Sequence, residues 1–127
     1  MARITSGAPQ FLVEDLPRSL AFYTERLGFE QRIAWEDFYA SVERDGGELH
    51  LKCAPPCVEE RVRRRREQHV DVLFEVDDAA TLVAEFEGRG VAIAVPLTEQ
   101  PWGGRDFHVH DPDGYVLCFV ELAGDDA

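Results

Sequence analysis

The stretch PWGGRDFHVHDPDG, residues 101–114, sets His108 and His110 two positions apart just ahead of a turn. Imidazoles titrate near neutral pH, move protons and ligate metals, so two on one face make a candidate site. In a strand, side chains two apart point the same way. Asp106, His108 and His110 therefore share one face, and Phe107 and Val109 the other. Asp111-Pro112-Asp113-Gly114 then supplies turn chemistry: Pro112 pre-sets φ, Gly114 accepts positive φ, and the aspartates bond nearby backbone. Tyr115 to Val120 reads as the returning strand, so 106–120 is a hairpin with one apolar and one polar face.

The same alternation sorts the remaining strand-like runs. The apolar set, Phe11, Val13, Leu49, Leu51, Val70, Val72, Phe74, Val76, Phe107, Val109, Leu117 and Phe119, belongs under helices. The opposite set holds Ala8, Gln10, Glu48, His50, Lys52, His69, Asp71, Glu75, Asp106, His108, His110 and Cys118. All four histidines of the chain fall in this second set. Each has a plainer reading: Cys118 as a small buried side chain, His50 as a partner to a neighbouring strand, His110 as a brace for the turn.

The elements that position these residues occur twice. Asp15 and Pro17 open a helix whose Leu16, Leu20, Tyr23 and Leu27 form an apolar stripe ended by Gly28. Strands are expected near 8–14, 29–35, 37–44 and 48–52. In the second half, 69–76 alternates as a strand and Asp77-Asp78 opens a helix carrying Leu82, Val83 and Phe86. Gly88 and Gly90 follow, then a strand over 91–95 and the hairpin. LGF at 27–29 falls on RGV at 89–91, and the Gly46 turn falls on the Gly114 turn. The fold class expected is α+β: two βαβββ modules, 1–54 and 69–127, joined by a connection over 55–68.

Bulk properties narrow the function. With 127 residues the chain suits a single domain with its own core. Against 13 basic residues stand 25 acidic ones, a formal net charge of −12, which argues against nucleic-acid binding and favours cationic partners. No apolar run approaches the ~20 residues of a membrane helix. The start lacks a signal-peptide core, and the odd set Cys53, Cys57 and Cys118 reads as free thiols, so a cytoplasmic location is expected. EERVRRRRE at 59–67 runs against the overall charge and reads as a solvated helix with Glu–Arg pairs at i,i+4.

VEDLPRSLAFYTERLGF and QPWGGRDFHVHDPDGYVLCFVE resemble the vicinal oxygen chelate superfamily, which groups glyoxalases, extradiol dioxygenases and bleomycin-binding resistance proteins. TSGAP near the start, DFYASVERDG at 37–46 and QPWG at 100–103 are most similar to the bleomycin-resistance branch. The resemblance implies paired βαβββ modules forming cup-shaped mixed sheets, and a homodimer. The Gly7-Ala8-Pro9 segment is suited to an extended arm reaching a partner.

For function the resemblance implies a protein that sequesters a cationic or aromatic small molecule in an acidic, aromatic-lined cup. Its ligand-binding residues would be Trp35, Phe38, His50, His69, Asp71, Glu75, Trp102, His108 and Cys118, with Trp102 and His108 forming a wall opposite Phe38. Gly103-Gly104 would give the Trp102 loop freedom to close. Arg32 and Ala21 stand where bleomycin binders carry acids and Ile33 where they carry an aromatic, which leaves other cationic or aromatic ligands equally open.

The alternative is a metal-dependent lyase, transferase or dioxygenase. The superfamily's metal slots fall on Ala8, His50, His69 and Cys118. Ala8 has no donor, and a His50/His69/Cys118 set would suit zinc among the divalent metals. His108 would then be the general base. The reading preferred is a binder with no cofactor and no metal.

Overall fold

The computed structural model describes residues 1–123, so the last four residues of the expected 69–127 module lie outside the described residues. The chain divides into two compact units, Met1–Pro56 and Cys57–Ala127. Unit one runs β1 (Gln10–Val13), α1 (Leu16–Ala21), a π-helical turn (Phe22–Arg26), β2 (Glu30–Trp35), β3 (Tyr39–Arg44) and β4 (Gly47–Cys53). Unit two runs α2 (Val58–Arg66), β5 (Val72–Glu75), α3 (Ala79–Gly88), β6 (Val95–Glu99), β7 (Arg105–His110) and β8 (Val116–Glu121). The strand orders are β1-β4-β3-β2 and β5-β8-β7-β6, with β1–β4 and β5–β8 parallel and the other pairs antiparallel. Two βαβββ modules with mixed sheets are therefore present, as the repeat indicates.

The matching signals have matching physics. Asp15 accepts from Arg18 N at 3.1 Å and Asp78 from Thr81 N at 3.0 Å, each satisfying an orphan N–H at a helix start. Gly28 and Gly90 end the two helices at φ 76° and 80°, a region costly for residues with a Cβ. The core on the helix side of each sheet is the expected apolar row. In unit one it buries Phe11, Val13, Leu49 and Leu51 with Leu16, Tyr23 and Leu27. In unit two Phe107 stacks on Phe119 at 5.2 Å, and Phe86 of α3 meets both rings edge-on. Val70, Val72, Phe74 and Val76 are only half-buried.

Four expectations need correction. The first helix passes into a π turn, in which Leu27 N donates to Phe22 O at 3.2 Å. The strand expected over 91–95 is β6, Val95–Glu99, because Val91 N still bonds Phe86 O at the helix end and pairing with His108 begins only at Ala94. As an edge strand, β6 tolerates Pro96, which has no donor to give the ladder. The strand expected from residue 69 starts at Val72, because His69 N caps α2 by bonding Arg64 O at 2.8 Å. Finally, α2 is not simply solvated: Arg61 is buried, and Arg61 and Arg64 turn inward onto Asp71.

Candidate functional site

Strand register assigns each expected residue to a face, and the face away from the helices is called open below. In unit one, Gln10, His50, Ser41 and Ile33 form one row across β1, β4, β3 and β2. Leu12, Lys52, Tyr39 and Trp35 form the next row on the same open face. Trp35 is 60% exposed on the edge strand. Phe38, in the turn after β2, meets Trp35 edge-to-face at 5.8 Å, the geometry favoured by opposed ring quadrupoles. Lys52 Nζ lies 5.8 Å from the Phe38 ring centroid, so a cation already faces that ring. Trp35, Phe38 and His50 are thus brought to one region, with Lys52 among them.

His50 uses both ring nitrogens. Its Nε2 is 2.9 Å from Glu48 Oε1 and its Nδ1 is 2.8 Å from the Tyr39 hydroxyl. Gln10 Nε2 donates to that hydroxyl at 3.1 Å. The plainer reading of His50, a bond to a neighbouring strand, is the one seen. Tyr39 was absent from the expected site, because only the β3–β4 register reveals that it reaches His50.

In unit two, Leu73, Cys118, His108 and Val95 form a row of the open face, and Glu75, Val120, Asp106 and Thr98 the next. His108 is only 8% exposed, and its Nδ1 has no hydrogen-bond partner. Burial holds its imidazole below the usual histidine range, with Asp106 opposing the shift. Cys118, opposite it, is also buried, and burial followed by the nearby Asp106 charge pushes its thiol up to about 12. A thiol so placed stays protonated at neutral pH and is no nucleophile. Gln100 Nε2 donates to Asp106 at 3.0 Å.

The other expected residues scatter. Glu75 is exposed on β5, and His69 is exposed in the connection ahead of that strand. Asp71 is not a free acid. Its carboxylate contacts Arg61 Nη1 at 2.8 Å and Arg64 Nε at 2.6 Å, and accepts from Val116 N at 2.7 Å. The Arg61 contact is a charge contact without hydrogen-bond alignment, and the same guanidinium stacks 4.2 Å above Tyr115. Trp102 is 56% exposed. A side chain at Gly104 would collide with the Trp102 ring and would sit 2.8 Å from Glu121 O, so this glycine is required for close approach.

A divalent metal does not fit the expected ligands. His50 has both nitrogens engaged, Cys118 is a buried neutral thiol opposite Leu73, and His69 lies four positions ahead of Leu73. Among the described residues no three of His, Cys, Asp and Glu are grouped to hold a metal ion. An open depression of unit one is lined by Glu14, Asp15, Leu16, Pro17, Arg18, Asp37 and Cys53; of these only Asp37 is among the acids expected to hold a cationic ligand.

Residues 5–119 match the Glyoxalase/Bleomycin resistance protein/Dioxygenase superfamily, and the chain belongs to that family. Its fold is similar to that of the bleomycin-binding protein from bleomycin-producing Streptomyces verticillus, solved with copper(II)-bleomycin. That likeness has 27% identity and a TM-score of 0.70 over 98% of this chain and 100% of that one. It is also similar to the bleomycin resistance determinant encoded on transposon Tn5, at 21% identity and TM-score 0.76, covering 94% and 98% of the chains. A glyoxalase/bleomycin resistance protein/dioxygenase from Nocardioides superposes with TM-score 0.68 at 20% identity over 98% and 87%. No protein with a curated description matches the chain. No helix among the described residues is long and apolar enough to cross a membrane.

Proposed function

We propose that this protein binds and sequesters a small cationic or aromatic molecule, in the manner of an antibiotic-resistance protein, without chemically changing it. The observation that carries the reading is the exposed apolar group on the open face and edge of unit one. There Ile33, Trp35 and Phe38 stand in solvent beside a hydrogen-bonded polar row. Exposed aromatic rings are costly to leave in water and stack well on planar ligands. The net charge of −12 draws cations toward the surface. The 27% identical bleomycin-binding relative supports the same class of ligand.

On this reading Trp35 and Phe38 are the ligand contacts of unit one, and Glu75, Trp102 and His108 those of unit two. Asp71 acts through the fold instead. The whole chain works as a single domain, 1–127, that pairs with a second copy in a cytoplasmic homodimer. A thermal-shift titration with bleomycin, with and without copper(II), tests the reading, because a ligand of the native state raises the melting temperature by mass action. A concentration-dependent rise supports sequestration. Turnover of the ligand, or no rise with bleomycin or any other cationic aromatic, refutes it. Sedimentation at micromolar concentration checks the dimer, and a monomer removes that part.

A further inference from the structure

One row on the open face of unit one changes character along its length. From the β2 edge inward, Trp35, Tyr39, Lys52 and Leu12 are ladder partners across β2, β3, β4 and β1. Tyr39 offers a ligand no free polar group: its hydroxyl is 2.8 Å from His50 Nδ1 and accepts from Gln10 Nε2 at 3.1 Å. Its ring also meets the His50 ring edge-on at 5.6 Å. Lys52 is placed differently. It is the only lysine of the chain, beside twelve arginines. Its Nζ lies 5.8 Å from the Phe38 ring centroid, and it enters no ion pair among the described residues. A lysine lays its stem along apolar neighbours and keeps its ammonium in water, and here Leu12 and Tyr39 stand on either side in the ladder. The acids nearby are turned to other uses. Glu48 is bonded to His50 at 2.9 Å, while Glu14 and Asp37 line the depression, which includes neither Phe38 nor Lys52.

We infer that the open face of unit one selects a planar aromatic acid, with its arene against Trp35 and Phe38 and its carboxylate on the Lys52 ammonium. Two strand spacings, about 10 Å, separate the backbones of Trp35 and Lys52. Two long side chains and one bicyclic arene fill that span. Exposed rings supply the stacking surface, Trp35 at 60% and Phe38 at 41% exposure. Lys52 supplies the sign. The net charge of −12 acts the other way at a distance, but salt screens it beyond about 8–10 Å. A carboxylate at Lys52 meets its counter-charge at contact, whereas an aromatic ammonium in the same place meets a like charge.

The inference rests on the ligand-binding reading and narrows it, for this face, to aromatic anions. The probes are 2-naphthoate and 2-naphthylmethylamine, which share an arene and differ in the sign of their charge. Each is titrated into the 15N-labelled full chain while the Trp35 indole signal, identified by its loss in Trp35→Phe, is followed. Naphthoate should bind about threefold to tenfold tighter, since attraction to a partly exposed ammonium and repulsion from it each amount to a factor of up to about five. Lys52→Met keeps an apolar stem and should bring the ratio to one or below. Lys52→Arg keeps the charge and should hold the ratio above one. Acetylation of Lys52 on the folded chain, whose only other amine is the N-terminus, removes the same charge without refolding and should act as Lys52→Met does.

Equal binding of the two probes, tighter binding of the amine, or a ratio that survives both Lys52→Met and acetylation overturns the inference and leaves an aromatic site at Trp35 standing. A Trp35 signal that neither probe moves overturns it as well, and the bleomycin titration then decides the wider reading on its own.

Discussion

Asp71 provides the most decisive test of how unit two is held. Its side chain is 7% exposed and faces two guanidinium groups, one of them on the similarly buried Arg61. It also accepts from the backbone of Val116, at the start of β8. Asp71→Ala leaves two cations near one another, with only the exposed Glu60 carboxylate 3.6 Å from Arg61 as counter-charge, and removes the acceptor of Val116 N. Breaking a buried pair costs about 3–5 kcal/mol. Arg64 keeps its bond to Val70 O at 3.0 Å, and Arg61 keeps its place over the Tyr115 ring. The lower part of the range, about 3–4 kcal/mol, is therefore expected. For a chain of this length that lowers the melting temperature by roughly 9–16 °C.

Asp71→Asn retains an acceptor for Val116 and should lose about half as much, since only the charge is removed. Arg61→Ala should cost less in the Asp71→Ala background than in the native chain, the sign of a coupled pair. Urea and thermal denaturation followed by circular dichroism measure all of these. A loss below about 1 kcal/mol for Asp71→Ala would mean the arginines are solvated as at an exposed pair, and the account of Arg61 and Arg64 as inward-turned partners of Asp71 would fail.

The remaining predictions concern the site and its titrating groups. Trp102→Ala should weaken binding of an aromatic cation by about tenfold or more while moving the apo melting temperature little, because the ring is 56% exposed; unfolding of the variant would make Trp102 core. Burial, joined at His110 by the Arg65 charge and then His108, holds both imidazoles below the usual histidine range. The unfolded chain then takes up protons near pH 6.5 that the folded chain refuses until lower pH. Stability is thus full above about pH 6.5 and falls as pH drops below it. His108→Leu should flatten that fall between pH 5 and 7, and an unchanged slope would refute the assignment. Cys57 is exposed and Cys118 buried with its thiol raised to about 12, so a disulfide reagent should label Cys57 in the native protein and Cys118 only after unfolding.

What could be read from sequence was local or periodic. Asp15 and Asp78 announce helix starts because capping involves residues three apart, and Gly28 and Gly90 announce helix ends through a conformation few other residues adopt. Asp111 accepts from both Asp113 N at 3.0 Å and Tyr115 N at 2.9 Å, so the DPDG turn carries its own bonding within five residues. What could not be read depends on partners distant in the chain. Arg64 and Asp71 are near in sequence, yet their pairing requires α2 to turn back onto the segment ahead of β5, where Asp71 also holds the start of β8. Tyr39 reaches His50 only through the β3–β4 register, and no periodic signal marks it. Alternation placed Asp71 on the open face, but it carries no information about whether a charge there is already matched.

The two modules share a strand order while differing in how they spend their open faces. On the helix side, each needs an interlocking apolar row, so that side is constrained by the core. Across the sheet, Ser41 and His50 of unit one occupy the row positions that His108 and Cys118 hold in unit two. The first face leaves Ile33 and Trp35 exposed, whereas the second buries His108, Cys118, Val116 and Val120. Mutational freedom is therefore lopsided. Changes along β2 and its turn alter what the surface recognises at little cost in folding, while changes along β8 meet packed neighbours on both sides. A library confined to residues 31–38 should yield many folded proteins with new binding preferences, and one confined to 116–120 few folded proteins at all. The repeat gives the chain one half in which recognition can drift and another that holds it steady.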